Sequence, residues 1–242
     1  MQFLGMALLG LVVWFGFGDR GDTEISAFDI HAAVMVLGGS FAAILISSSA
    51  ITTVRTFLCL GEIVPGLGQL GRKTDALEAE RVKLTELWID GKRAQAVELA
   101  EKSVFPAISR MLELVLQRAP DEATRATFTA LRHAELSRWQ PAVSNWELLA
   151  KLAPSFGMIG TITGMIQLFK GMGEDDLNIG AALSLALLAT LYGVSFGAGV
   201  AGPLGHFLRG LLDERLGALE RCEQSVSELV ARSGRSPAAV AG

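Results

Sequence analysis

Four stretches of the chain are almost continuously apolar: 1–18, about 28–53, about 152–169 and about 179–207. His31 is the one weakly polar intrusion in the second. A bilayer core is crossed by roughly 20 apolar residues in a helix, with a range of about 17–25. Each stretch therefore predicts a membrane-spanning helix. The first has the length of a secretory signal. No Lys or Arg precedes Arg20, however, so the positively charged start of such a signal is missing and the segment reads as a retained span.

A different pattern fills 72–151. Apolar residues recur there at helical spacing: Leu77, Leu84 and Trp88, then Ile108, Met111, Leu112 and Val115, then Phe128, Leu131 and Trp139. Pro106, Pro120 and Pro141 punctuate the segment, and Asp90-Gly91 marks a turn. Pro120 followed by Asp121 and Glu122 predicts a helix start with acids in its first turn. No strand alternation occurs, so the segment reads as short antiparallel amphipathic helices. The junction 56–70 contains Pro65, Gly66 and Gly68 and reads either as a broken interfacial helix or as the end of the second span. The small-residue tail 233–242 reads as disordered.

Composition agrees with a membrane protein: 50% apolar, 19% charged, mean hydropathy +0.41. A net charge of −4 argues against nucleic-acid binding. Of 21 Lys and Arg residues, 19 fall between 54 and 151 or after 208; only Arg20 and Lys170 lie elsewhere. The positive-inside rule places those two regions in the cytoplasm. Four spans then return both termini to the cytoplasm. Cys59 and Cys222 do not make a disulfide framework. His31, His133 and His206 lie too far apart for a metal motif and read as structural.

The domain plan follows. Residues 1–53 hold the first two spans, 54–151 a cytoplasmic helical domain, 152–208 the third and fourth spans, and 209–242 a cytoplasmic helix and tail. The fold class is an all-α integral membrane protein with four transmembrane helices and a helical cytoplasmic domain between spans two and three.

Spans three and four carry most of the information. Gly157, Gly160, Thr161 and Gly164 follow i, i+3, i+4, i+7 and share one helix face. Thr190, Gly193, Gly197 and Ala201 do the same at i, i+3, i+7, i+11, and leucines from Leu183 to Leu191 supply bulk. Small faces let membrane helices approach closely. Each face also holds one hydroxyl. It admits two readings: a packing stripe with the hydroxyl bonded to the carbonyl one turn back, or a polar lining for an ion path. Before His206 neither span contains Asp, Glu, Lys, Arg or His. An intramembrane ion relay needs an ionisable or coordinating group, so either no ion passes or a partner supplies the carboxylate.

The run Ala153-Pro154-Ser155-Phe156-Gly157-Met158-Ile159-Gly160-Thr161 resembles the third-span motif of the MotA/TolQ/ExbB proton-channel family, most closely its MotA flagellar-stator branch. Ala189-Thr190-Leu191-Tyr192-Gly193, with Pro203 ten residues on, resembles the fourth span. The motif likeness covers about 135–210; elsewhere it is one of topology. It implies a homo-pentamer around two copies of a MotB-like single-span partner that brings the ion-binding aspartate. It further implies a multi-pass protein of the bacterial inner membrane that turns a proton or sodium gradient into rotation, with no cofactor beyond the transported ion. By position it assigns Thr161 and Thr190 to the ion path, Pro154 and Pro203 to the flanks of the channel spans, and Gly157, Gly160, Gly164, Gly193 and Gly197 to helix packing. Lys92, Arg93 and Glu98 stand where flagellar relatives touch the rotor, but their spacing departs from the family pattern and a solvated face explains them as well.

Two rival readings stay open. One is a TolQ/ExbB-like energiser of a periplasmic transducer or gliding machine. The other is a non-conducting membrane scaffold. An enzyme is disfavoured: no G-x-S-x-G, phosphate-binding loop or metal spacing occurs.

Overall fold

A computed structural model describes residues 30–62, 70–171 and 179–234. The first apolar stretch, the loops 19–27 and 172–178, Pro65, Gly66, Gly68 and the tail 235–242 lie outside the described residues. Among the described residues all regular structure is helical. Helix α1 (Ile30–Ala33) runs through a π-turn (Val34–Gly38) into α2 (Gly39–Ser47), and α3 covers Ala50–Leu58. A 3-10 turn (Cys59–Glu62) follows, then α4 (Leu70–Ile89), α5 (Arg93–Lys102), α6 (Pro106–Leu116) and α7 (Asp121–Gly171). Helix α8 (Ile179–Phe196) passes through a second π-turn (Gly197–Ala201) into α9 (Gly202–Gly234).

The chain divides into two compact units. One comprises 1–63 and 141–208, the other 64–140 and 209–242. Helices α7 and α9 each contribute to both.

In the second unit the predicted helical stripes bury as the spacing demands. Leu77, Leu84, Ile108, Met111, Val115 and Phe128 are all fully or nearly fully buried. Ala218, Cys222, Val226 and Leu229 of α9 join the same core at helical intervals. Proline acts here as a starter. Pro106 opens α6 at a position whose N–H would be unpaired anyway. Pro120 lends its carbonyl to the N–H of Thr124 as α7 begins. Helices α4 and α6 end in the same way: the N–H groups of Lys92 and Gly91 bond Leu87 and Trp88, and those of Ala119 and Arg118 bond Leu114 and Val115. The residue in the left-handed region is Gly91 in one and Arg118 in the other.

Pro141 does not end its helix. Helix α7 runs unbroken for 51 residues through both Pro141 and Pro154. An interior proline costs about 3 kcal/mol. Ala142, Val143, Trp146, Leu149 and Ala153, all buried, hold the helix across it.

Ionic contacts tie the second unit together. Glu78 binds Arg81 and Arg221 at 2.6 and 3.0 Å. Burial pushes its carboxyl upward, but the two guanidinium groups outweigh that and hold it below the usual value. Arg215, nearly buried, donates to the Lys73 carbonyl at 3.2 Å and to Glu135 at 3.4 Å, and lies over the Phe105 ring. Burial pushes the Cys222 thiol up to about 12, which leaves it a small apolar side chain. Cys59 and Cys222 are both free.

The first unit is packed the other way round. One of its buried clusters is made of small residues, Ala32, Val36, Ala153 and Ala189, beside larger buried residues such as Ile44, Trp146 and Leu149. Its exposed residues are large: Ile46 at 88%, Phe169 at 62% and Leu187 at 62% exposed, with Met158, Ile159 and Ile162 beside them. Helix α3 shows the inversion most plainly, with Thr53 and Thr56 inward and Ile51, Val54 and Leu58 outward. A soluble protein does not expose so much contiguous apolar surface. Two helices, Asp121–Lys170 and Ala186–Ser233, are long and apolar enough to cross a membrane. Val34–Ser47 and Ala50–Gly61 are shorter apolar helices.

Candidate functional site at the α7–α8 helix pair

The small faces of α7 and α8 meet. A Cβ on Gly157 would stand 2.9 Å from the Ala189 carbonyl oxygen and 3.1 Å from the Thr190 Cα. On Gly193 it would stand 2.5 Å from the Ala153 carbonyl oxygen, and on Gly197 2.7 Å from Cδ of Pro154. Gly160 faces the Ala189 methyl group and the sulfur of Met35. These neighbours are mostly backbone and cannot swing aside. Only glycine permits the approach at Gly157 and Gly193, which is the small-xxx-small logic of membrane helices.

That closeness brings the two predicted hydroxyls together. Thr161 and Thr190 are half-buried, and their hydroxyl oxygens are hydrogen-bonded to each other. Thr161 Oγ1 also lies 3.2 Å from the Gly157 carbonyl, one turn back, and 3.1 Å from the Ala186 carbonyl of α8. Thr190 Oγ1 is 3.4 Å from Gly157 and 3.5 Å from Ala186. Two hydroxyls carry two protons, so they satisfy one another and one carbonyl at a time. The result is four oxygens gathered in an otherwise apolar helix pair. Such a cluster can exchange hydrogen-bond partners, or offer oxygen to a hard cation, without a fixed charge. The packing and the polar reading thus share one geometry: each threonine hydroxyl lies within reach of the carbonyl one turn back and of the other hydroxyl across the pair.

The other predicted residues are placed as follows. Gly164 is buried on the same face of α7. Pro154 is half-buried against Gly197, whereas Pro203 is exposed in the first turn of α9. The π-turn just before Pro203 has the Gly202 N–H bonding the Gly197 carbonyl, five residues back. That wider turn accommodates a ring which removes one helical donor. Lys92, Arg93 and Glu98 belong to the second unit. All three are solvent-facing and locally engaged: Lys92 with Asp90 at 3.1 Å, Arg93 over the Trp88 ring, Glu98 with Lys102 at 2.5 Å. His133 and His206 are exposed. Among the described residues no group of three or more His, Cys, Asp or Glu side chains could hold a metal ion. Sequence spacing gave no hint of Met35, which backs the hydroxyl helix at Gly160; a methionine in an apolar run looks like any other.

A helical chain with large apolar residues outside, and a glycine-lined helix pair enclosing hydroxyls inside, is the architecture of a membrane channel subunit. The comparisons agree: residues 98–221, slightly more than half of the chain, match the MotA/TolQ/ExbB proton channel family. The chain belongs to that family, which is one of ion channels rather than of enzymes. Motility protein A of Aquifex aeolicus is 39% identical over 71 residues, 29% of this chain and 28% of that protein. Motility protein A of Borreliella burgdorferi is 26% identical over 170 residues, 69% of this chain and 62% of that protein. The matches thus span less than two thirds of either relative. The flagellar MotAB stator complex of Bacillus subtilis shares the fold, with a TM-score of 0.73 at 19% identity over 94% of this chain and 88% of that one.

Proposed function

We propose that this chain is a MotA-like stator subunit that assembles around a MotB-like single-span partner and converts a proton or sodium gradient into rotation. The observation that carries the reading is the Thr161–Thr190 hydroxyl pair inside a close-packed helix pair whose spans hold no ionisable side chain before His206. The pair supplies polarity at depth but no charge, so the ion-carrying carboxylate comes from the partner. Neutralising that carboxylate with the ion lowers the cost of moving it past Thr190. The drive is about 2.3 kcal/mol per charge per 100 mV, plus any concentration gradient.

In this reading 1–53 and 152–208 form four spans, the latter two lining a pentamer around a partner dimer in the inner membrane. Residues 54–151 and 209–242 lie in the cytoplasm, and Lys92, Arg93 and Glu98 form a solvated patch available to a flagellar rotor. The names of the relatives and the shared stator fold support it, as does the distribution of positive charge.

The test is native mass spectrometry and ion flux of the chain co-expressed with a neighbouring single-span, Asp-bearing protein. The expected mass is five chains plus two partners. Thr190→Val is expected to keep that mass and to cut ion flux at least about tenfold, since one misplaced or missing polar contact commonly costs that much or more. Unchanged flux in the variant sinks the role of Thr190. A monomer that retains no partner makes the glycine faces plain packing and the chain a scaffold. A partner with a small dimeric periplasmic domain in place of a peptidoglycan-binding one makes it an energiser of a transducer.

A further inference from the structure

Helices α2 and α3 are separated by a break at Ser48, whose backbone is extended at φ −124° and ψ 149°. Ser49 then caps α3 by accepting from the Thr52 N–H at 3.3 Å. Asn145 of α7 sits against this break, 6% exposed. The Ser48 hydroxyl donates to its Oδ1 at 2.9 Å, and its Nδ2 donates to Thr56 Oγ1 at 2.9 Å. Thr56 donates its own proton to the Thr52 carbonyl at 2.9 Å, so it can only accept from Asn145. That fixes which way the amide faces. The neighbouring Trp146 Nε1 donates to the Thr56 carbonyl at 2.9 Å. The node thus holds both sides of the break.

The same helices touch α7 at two further levels. A Cβ on Gly160 would stand 3.3 Å from the Met35 sulfur, and one on Gly39 would stand 2.5 Å from the Phe156 ring. Positions 35, 39 and 48 therefore meet 160, 156 and 145, a single antiparallel register. The first two levels each seat one large apolar side chain on a glycine, Met35 on Gly160 and Phe156 on Gly39, and carry no hydrogen bond. The third is directional. A buried amide in an apolar helix interface is a well-attested device for fixing register.

We propose that Asn145 is a positioning residue: its amide sets the axial register of α1–α3 against α7 and so keeps Met35 behind Gly160, where Thr161 can meet Thr190. The consequence for ion flux rests on the function proposed above; the register does not.

The test uses the full chain with its partner in membranes. Nitroxides are placed at I46C and K151C, both exposed positions close to the node, in a minority of chains diluted with unlabelled ones. Electron-electron resonance should give one narrow distance in the parent. Asn145→Leu should shift or broaden it by about 5 Å, one helical turn, and lower flux at least about tenfold with the assembled mass unchanged. Exchanging the partners, Ser48→Asn with Asn145→Ser, should restore the distance and return flux to within about twofold of the parent. If Asn145→Leu does not accumulate, Asn145→Ser alone should broaden the same distance. An unchanged distance overturns the proposal, as does a shifted distance with undiminished flux or an exchange that restores nothing. A parent that conducts no ion defeats the functional reading alone, because the distances still decide the register.

Discussion

Gly193 and Gly210 show how one residue type serves opposite ends. A Cβ on Gly193 would press on the Ala153 carbonyl oxygen at 2.5 Å, whereas one on Gly210 would meet nothing within 4 Å. Alanine is the better helix former by about 1 kcal/mol, so the sign of a substitution is set by the neighbour. Gly193→Ala is expected to destabilise by about 1–3 kcal/mol, the usual cost of overpacking. Gly210→Ala should stabilise by about 0.5–1 kcal/mol. Thermal unfolding of both variants in detergent checks the pair; a Gly193→Ala protein as stable as its parent would show that the two helices are not in contact. Glu78 makes a second residue-scale case. Its carboxyl is held below the unfolded value near 4.3, so the stability it contributes is present above that pH and lost as pH falls through the folded value. Glu78→Gln should therefore lower the melting temperature at pH 7 and flatten its decline between pH 5 and 3, measured on both proteins across that range. Equal slopes would remove Glu78 from the pH response.

Elements end where backbone donors find carbonyls, and sequence signals report only some of those endings. Helices α4 and α6 close with the same pair of hydrogen bonds. The first was legible from Asp90-Gly91, because glycine accepts a positive φ at no cost. The second was not, because Arg118 sits at φ 49° and nothing in its side chain announces that. Holding a non-glycine residue there costs about 1 kcal/mol. Arg118→Gly is expected to raise stability by up to about that amount, read from chemical denaturation; a loss would mean that the arginine side chain contributes more than its backbone strain costs. Pro141 is the converse case. Its place in the sequence predicts a break, yet α7 passes through it, because a row of buried residues after it outweighs one lost hydrogen bond. Pro106 and Pro120 punctuate as expected: Pro106 opens α6 and Pro120 stands just before α7 begins.

At the scale of the whole molecule the decisive quantity is the distribution of charge against apolar length. Of 21 basic residues, 19 lie in 54–151 or beyond 208, and the positive-inside rule predicts that these two regions face the cytoplasm. A fluorescent protein fused after 242, or inserted at the Asp90–Gly91 turn, is expected to fluoresce, as such reporters do in the cytoplasm. Alkaline phosphatase fused after 20 should be active on the other side. Fluorescence at 242 together with an inactive fusion at 20 would contradict the four-span plan.

The sequence alone determined the helical class, the amphipathic stripes of the second unit, the glycine faces and the missing carboxylate. Each is a matter of periodicity or of residue inventory, and periodicity follows from 3.6 residues per turn whatever the partner. The family likeness also lay in a contiguous motif around 153–161. Tertiary structure decided what depends on residues far apart in the chain. It brought Thr161 to Thr190 across 29 positions and Asn145 to Ser48 across 97. It carried α7 through two prolines, put glycine and alanine between α7 and α8, and left large side chains such as Ile46, Phe169 and Leu187 outward. A helix face has no sequence signal for which neighbour it meets. Only the packing of whole elements brings two ordinary threonines and one asparagine to the partners they bond.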